Sequence, residues 1–567
     1  MTQNLNHKAG NTAEETSHIA LLVGEEVLNL ISNDRFKQEW DELYQQCEWA
    51  TAFQSRGFVT TWYNVFKGDY LPLLVKSEHA GKLSGLLTMA ISICGSAIPD
   101  FENKSINIVG AGEYEAEYQC WMATHTYGEQ FIKSALSEMM KCFPKANILF
   151  RFIPPLAPLN WSISDPKWKS MCVVQSHKRP LLDLRDPNAK KVFKITNQFK
   201  TKYNRLKRLG EVRFEKLSDT REFTEALKEL TLQFDFRQGC MFNKNQFRDK
   251  PQKFKFMVEL FRQGLLHATI LKVGEEIIAS MVAVAGKNWV HLQGVNTHSP
   301  FYAKHSPGIL HFLHLGQSLA QEGIEVFDLT PGGDEYKERF ATIHDIVHTL
   351  IITPNPTFRL KKYIKKKLHI RLIKAGKRPM TFELAIEKRK YLLRSALKAG
   401  VKTLLKEQLS NIIGSQKPIS KFRLVRLANT TTALAIQRDS LNDLLCYTSA
   451  KGEISRWEFM EDAMQRFESG AHSYTWVDDD CLMACAWIGG ANTSKAKEDF
   501  TEPDGVAALH HIYCYPAAKG KLHTFLTAVI SQAARDIADK QLIAYCEADD
   551  KATLRSIKEA GFTDAQI

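Results

Sequence analysis

The sequence predicts an α+β protein with mixed sheets, built from tandem units, and three observations carry that expectation. A chain of 567 residues exceeds what one hydrophobic core fills, so three or four domains are expected. Hydrophobic residues make up 44% and charged residues 24%, a balance that points to a folded globular chain and away from a disordered or fibrous one. Hydrophobic periodicity, finally, gives one order of elements three times over, although the three stretches share little sequence.

In the first stretch Phe36, Trp40 and Leu43 fall on one helix face, and a second short helix covers 58–66. Strands follow at 71–76 and 83–93 around the turn His79-Ala80-Gly81-Lys82, then a strand at 106–109, a helix at 131–142 and a strand at 148–153. The second stretch repeats this: helices at 220–236 and 254–261, strands at 266–272 and 277–285 around Val273-Gly274-Glu275-Glu276, and a strand at 289–295. A helix then opens at Ser306-Pro307-Gly308 and runs to about 321, followed by an apolar strand at 324–329. In the third, helices at 441–446 and 457–467 precede strands at 474–477, 482–488 and 509–514, a helix at 522–537, a strand at 542–546, and a helix at 552–560 ending in Gly561-Phe562. The expected division is a loose tail (1–20), two units (21–178 and 179–356), a basic helical linker (357–418) and a third unit (419–567).

Composition narrows the setting. The first eighteen residues lack the apolar middle of a secretory signal. The longest apolar stretch, 86–98, is broken by Thr88, Ser92, Gly95 and Ser96 and is shorter than the roughly 20 residues a spanning helix needs. A cytoplasmic protein is therefore expected. Its eleven cysteines read as reduced, mostly buried thiols; Cys481 and Cys485 lie in an apolar run with no histidine pair, so no structural metal is assigned.

The net charge of +12 is concentrated: 359–426 holds 21 Lys and Arg against Glu383, Glu387 and Glu407, leaving the rest of the chain net acidic. Within it, 359–378 carries ten basic residues and no acid, with Leu360, Ile364, Leu368 and Leu372 spaced by four. A helix with an apolar stripe among cations suits either the surface of an anionic membrane or docking on a neighbouring domain. Nucleic acid is the least expected partner, because stacking aromatics are sparse there. A second basic run spans 190–208 and includes Lys190, Lys194, Lys202, Arg205 and Arg208. It would steer a polyanionic substrate, or simply solvate a helix whose other side is Val192, Phe199, Tyr203 and Leu206.

Ser306-Pro307-Gly308 starts a helix where unbonded N–H groups and the positive dipole end gather, a place suited to a pyrophosphate; proline fits the first turn and Gly308 lets a ligand approach. An ordinary helix cap is the plainer reading. With the loop Phe327-Asp328-Leu329-Thr330-Pro331-Gly332-Gly333-Asp334-Glu335-Tyr336-Lys337-Glu338-Arg339-Phe340, this turn resembles the acetyltransferase-like family first described from cellulose-biosynthesis loci, a branch of the GNAT N-acyltransferase superfamily distantly related to Fem-type transferases. The run Tyr203-Asn204-Arg205-Leu206-Lys207-Arg208-Leu209-Gly210 and the segment Gln54-Ser55-Arg56-Gly57-Phe58 with Trp62 are similar to that family too, so the likeness extends over about 30–355.

The resemblance implies two GNAT-like units in a Fem-like pair plus a third, no tightly bound cofactor, and acyl-CoA as co-substrate. It implies donor contacts at Lys304, His305, Ser306 and Gly308. The turn has fewer glycines than most GNAT domains, which leaves another activated donor open, a charged tRNA among them. For catalysis the resemblance implies Asp328 or Glu335 as base, Tyr336 as proton donor to the thiolate, and Lys337 as stabiliser of negative charge; a Lys337–Asp334 pair beside a packed Tyr336 is the structural alternative. In the third unit Tyr515-Pro516-Ala517-Ala518-Lys519-Gly520-Lys521 resembles the acyl-CoA turn, with Lys519, Gly520 and Lys521 as contacts, but is short of a glycine. The implied activity is acyl transfer to an amine or sugar hydroxyl in envelope or exopolysaccharide precursors. An aminoacyl-tRNA-dependent transferase and a non-catalytic scaffold are the alternatives.

Overall fold

The computed structural model describes residues 18–93, 105–194, 196–399, 419–424, 434–450, 454–489, 506–534 and 541–564. Residues 1–17 of the expected tail, 94–98 of the apolar stretch, 400–418 of the expected linker and 535–537 of the expected last long helix lie outside them. The first unit contributes strands β1 (His18–Val23), β2 (Tyr70–His79), β3 (Lys82–Ser92), β4 (Asn107–Gly110), β5 (Met122–Ala123) and β6 (Asn147–Ile153). After β7 (Cys172–Asp183), the second contributes β8 (Val212–Lys216), β9 (Leu266–Val273), β10 (Glu276–Gly286), β11 (Trp289–His298), β12 (Val326–Asp328) and β13 (Ile343–Ile352). The third holds β14 (Ile419–Leu424), β15 (Gln437–Arg438), β16 (His472–Asp478), β17 (Cys481–Gly489), β18 (Val506–Cys514), β19 (Gln541–Glu547) and β20 (Phe562–Asp564).

The expected order recurs in all three units: hairpin, third strand, helix, returning strand. Each unit contains one parallel pair, β4 with β6, β11 with β12 and β18 with β19, because its helix carries the chain back across the sheet. The fold is α+β with mixed sheets. The first two units form a single sheet in the order β1-β2-β3-β4-β6-β13-β7-β12-β11-β10-β9-β8, with β5 on β3, and the third forms β15-β16-β17-β18-β19-β14-β20.

The joint between the first two units is made by β7 and β13, which periodicity had not marked. β13 pairs with β6 on one side and β7 on the other, and β7 pairs in turn with β12. Pro180 and a run of charged residues disguise β7 as a loop, and the expected division between residues 178 and 179 falls inside it. Buried charge is tolerated there because Arg179 on β7 faces Asp345 on β13, with Nε–Oδ1 at 2.8 Å and Nη2–Oδ2 at 2.5 Å.

The second and third units share a core. Phe236 and Cys240 of the helix Thr220–Phe242 pack with Leu444, Met460, Phe467 and Trp487, and Trp457 Nε1 donates to Cys240 O at 3.0 Å. Asp219 caps that helix by accepting from the N–H groups of Arg221 and Glu222. The basic region forms two helices, Pro356–Lys374 and Pro379–Ala399. The first buries none of its residues, and Leu360, Ile364 and Leu368 remain 57%, 58% and 41% exposed. Among the described residues no helix is long and apolar enough to cross a membrane.

Candidate active site

In the second unit β12 pairs with β11 only over Trp289–His291, while β11 continues to His298 along β10. The two strands part at His291 and Asp328, and the carboxyl ends of parallel strands are where α/β sheets usually hold ligands. The helix Pro307–Gln321 starts from Ser306, which sits in the left-handed region (φ 53°, ψ 52°). A Cβ at Gly308 would meet only His298 Nδ1, at 3.6 Å. From the basic helix Asn197–Lys207, which buries Phe199 and Leu206, Lys202 Nζ donates to Ser306 Oγ at 2.6 Å. Lys304 is exposed beside this opening. His305 is buried, and burial together with the Lys304, Arg205 and Lys202 charges pulls its pKa down. It therefore stands neutral, and attraction for an anion falls to the lysines.

Beside the opening lies Arg237, which sequence reading had not singled out. Its Nη1 lies 2.8 Å from His298 Nδ1. Burial lowers its pKa, partly offset by the nearby Tyr336 hydroxyl and Asp334 carboxylate. Burial and then Asp334 push Tyr336 up to about 12, so its phenol is protonated at neutral pH, and its ring packs edge-on against Phe312. Glu335 is exposed.

Asp328 is fully buried. Its Oδ2 lies 2.8 Å from His291 Nδ1 and 3.5 Å from Arg179 Nη1, and its Oδ1 accepts from Thr330 N at 2.8 Å. Burial raises its pKa, but the Arg179 charge and the His291 hydrogen bond outweigh this and hold the carboxyl below its usual range. Lys337, also buried, donates to Thr330 Oγ1 at 2.9 Å and lies 3.5 Å from Asp334 Oδ2; burial pulls its pKa down. Asp328 and Lys337 thus meet around Thr330, whereas Tyr336 packs on Phe312. Arg378, at the end of the basic run, clamps the loop from outside, with Nε donating to Gly332 O and Nη2 pairing with Asp334 Oδ1, both at 2.7 Å.

Two residues of the first unit complete the cluster. Both are buried: Glu117 pairs with Arg151, whose Nη2 lies 2.6 Å from its Oε2, and the Tyr118 hydroxyl hydrogen-bonds with Asp328. Arg179 lies over the Tyr118 ring at 4.9 Å. Gln54, from the segment similar to the family, holds this stretch by donating from Nε2 to Tyr118 O at 2.8 Å. A lone Glu-Tyr in a loop gives no signal in sequence. Two open surface clefts, one along the helix Gly128–Cys142 and one between Arg248 and Arg456, share no lining residue with the cluster.

In the third unit Lys519, Gly520 and Lys521 are exposed on the turn Pro516–Lys521, and a Cβ at Gly520 would meet nothing within 4 Å. They do not join the central cluster. The third unit instead reaches it from behind: its helix Arg456–Ser469 packs on the turn Pro300–His305, with the Phe301 and Phe467 rings 4.8 Å apart.

Residues 194–338, which hold the helix opening, Asp328 and Lys337, match the family model of the acetyltransferase (GNAT) domain. No curated protein matches the chain. Similar solved structures include the C-terminal domain assigned to a lysylphosphatidylglycerol synthetase of Agrobacterium fabrum, at 12% identity and TM-score 0.37 over 59% of this chain and 95% of that one. L-PGS from Bacillus licheniformis (12% identity, TM-score 0.36, 59% and 96% covered) and FemX (9%, 0.39, 57% and 98%) are similar as well.

Proposed function

We propose that the chain transfers an acyl group from an acyl-CoA-type thioester to an amine or hydroxyl acceptor, the acceptor being a precursor in envelope or exopolysaccharide synthesis. The observation that supports this reading is the helix start at Ser306–Gly308, flanked by Lys202 and Lys304, with Arg237 beside it at 2.8 Å from His298. Backbone N–H groups and two ammonium groups suit a pyrophosphate. A phenol protonated at neutral pH suits delivery of a proton to a departing thiolate. Asp328, held by three donors, suits fixing the loop better than moving protons. The acceptor class rests on family resemblance.

Calorimetry with acetyl-CoA and longer acyl-CoAs tests the donor. Saturable binding is expected, weakened about 10-fold by Lys202→Ala, which removes one charge-assisted contact. No saturable binding by the unsubstituted chain would defeat the reading. An aminoacyl-tRNA donor would instead make turnover sensitive to ribonuclease.

We further propose that the work is done against an anionic membrane, because the Leu360, Ile364 and Leu368 stripe stays uncovered among lysines. Co-sedimentation with phosphatidylglycerol vesicles is expected at low salt and is expected to fall at high salt. Equal recovery with neutral vesicles, or none with either, would refute it.

A further inference from the structure

Two arginines from different units meet in a cleft away from the central cluster, and neither has an acid as its ion-pair partner. The cleft, of about 580 Å³, is lined by Arg248 from the helix Gln246–Asp249, by Tyr391 from the basic helix Pro379–Ala399, and by Tyr447, Thr448, Ser449 and Arg456 of the third unit. Three elements are tied together around it: Trp457 Nε1 donates to Cys240 O, Lys388 pairs with Glu461, and the Tyr391 and Trp457 rings lie 5.7 Å apart. A gap left between packed elements is a common place for a small ligand, and this volume is in the usual range.

Arg248 Nη2 reaches Asn442 Oδ1 and Cys446 Sγ, both at 3.3 Å, and Arg456 Nη1 donates to Asn243 Oδ1 at 3.0 Å. Among the described residues no carboxylate forms an ion pair with either guanidinium. Burial lowers the Arg456 pKa, opposed by the Tyr391 hydroxyl and Asp249 and reinforced by Arg248. Like charges drawn together with only amides and a thiol as partners are costly unless an anion completes them. Beside them the Thr448 hydroxyl meets Cys481 Sγ at 3.6 Å and the Ser449 hydroxyl meets Ala450 O at 3.4 Å, long contacts that leave hydrogen-bonding capacity in both. Asp480 is the one acid in the lining, and it is exposed.

We propose that this cleft binds a phosphate monoester, with the phosphate between Arg248 and Arg456 and the Thr448 and Ser449 hydroxyls, and the body of the ligand against Tyr391. A phosphate monoester carries close to two negative charges at neutral pH and presents three acceptor oxygens, which matches two guanidiniums and two hydroxyls. A carboxylate answers only one of the two charges. Because the lining comes from the second unit, the basic helix and the third unit, the occupant also fastens these three together. The site shares no residue with the helix start at Ser306 and does not depend on the acyl-transfer reading.

Calorimetry of the full chain with adenosine 5′-monophosphate and with inorganic phosphate tests it, adenosine serving as the neutral control. One saturable site is expected for the nucleotide, with phosphate weaker and competing for it, and no binding of adenosine. Arg248→Glu is expected to weaken the nucleotide about 100-fold, because it turns an attraction into a repulsion, whereas Lys202→Ala at the helix start leaves it unchanged. Thr448→Val combined with Ser449→Ala is expected to weaken it about 10-fold. Binding that survives Arg248→Glu overturns the assignment, and so does binding lost in Lys202→Ala instead, which would place the phosphate at the helix start. Should Arg248→Glu not fold, the double hydroxyl variant decides: full affinity overturns the site. Equal binding of adenosine, or no binding of either the nucleotide or phosphate, overturns it as well.

Discussion

Replacing Arg179 by methionine is expected to cost about 3–5 kcal/mol of stability and to abolish any transfer activity. Arg179 is 3% exposed, and it pairs with Asp345 through two nitrogens while its third faces Asp328. Methionine fills a similar volume but leaves one buried carboxylate and one partly buried carboxylate with no cation between them, and an uncompensated buried charge costs far more than an intact pair contributes. Because Arg179 lies on β7, the damage falls on the seam where the two units become one sheet. Urea denaturation measures it. Arg179→Lys is expected to recover only part, since an ammonium keeps the charge and loses the fork that reaches both acids. A methionine variant as stable as the parent would show that the seam does not depend on this triad.

Lys337→Ala is expected to lower turnover about 100- to 1,000-fold while leaving thioester binding within a few-fold of the parent. The ammonium is buried, and a charge in a water-poor setting acts on developing negative charge more strongly than one in solvent. Its anchors, Thr330 Oγ1 and Asp334, sit on the loop itself, so truncation also loosens the strand-to-helix connection. Arginine in its place is expected to rescue poorly, because the guanidinium is a wider, planar group that cannot give up its proton. The split between turnover and binding is the informative readout. Loss of binding in step with turnover would place Lys337 at the donor and not at the reacting carbonyl.

Much of the architecture was legible along the chain. Hairpins such as β9–β10 announce themselves by apolar runs around Val273-Gly274-Glu275-Glu276, and the opening at Ser306-Pro307-Gly308 marks its own helix. The loop from Asp328 to Lys337 was legible through family likeness. β7 and β13 were not, since polar strands in mid-sheet are stabilised by partners more than 150 residues away and carry no period of their own. His305 misled for a related reason: beside lysines in sequence it suggests an anion contact, yet the turn folds it inward.

What the sequence determined by itself is whatever depends on neighbours along the chain: three repeats of one element order, a helix start at Ser306-Pro307-Gly308, and a cationic segment bearing an apolar stripe. Tertiary structure alone decided that two repeats merge into one sheet, that Arg237 reaches His298 beside the helix start, and that Glu117 is buried against Arg151. The reason is that burial and the charges gathered by folding set what each ionisable group does, and neither is encoded in local spacing.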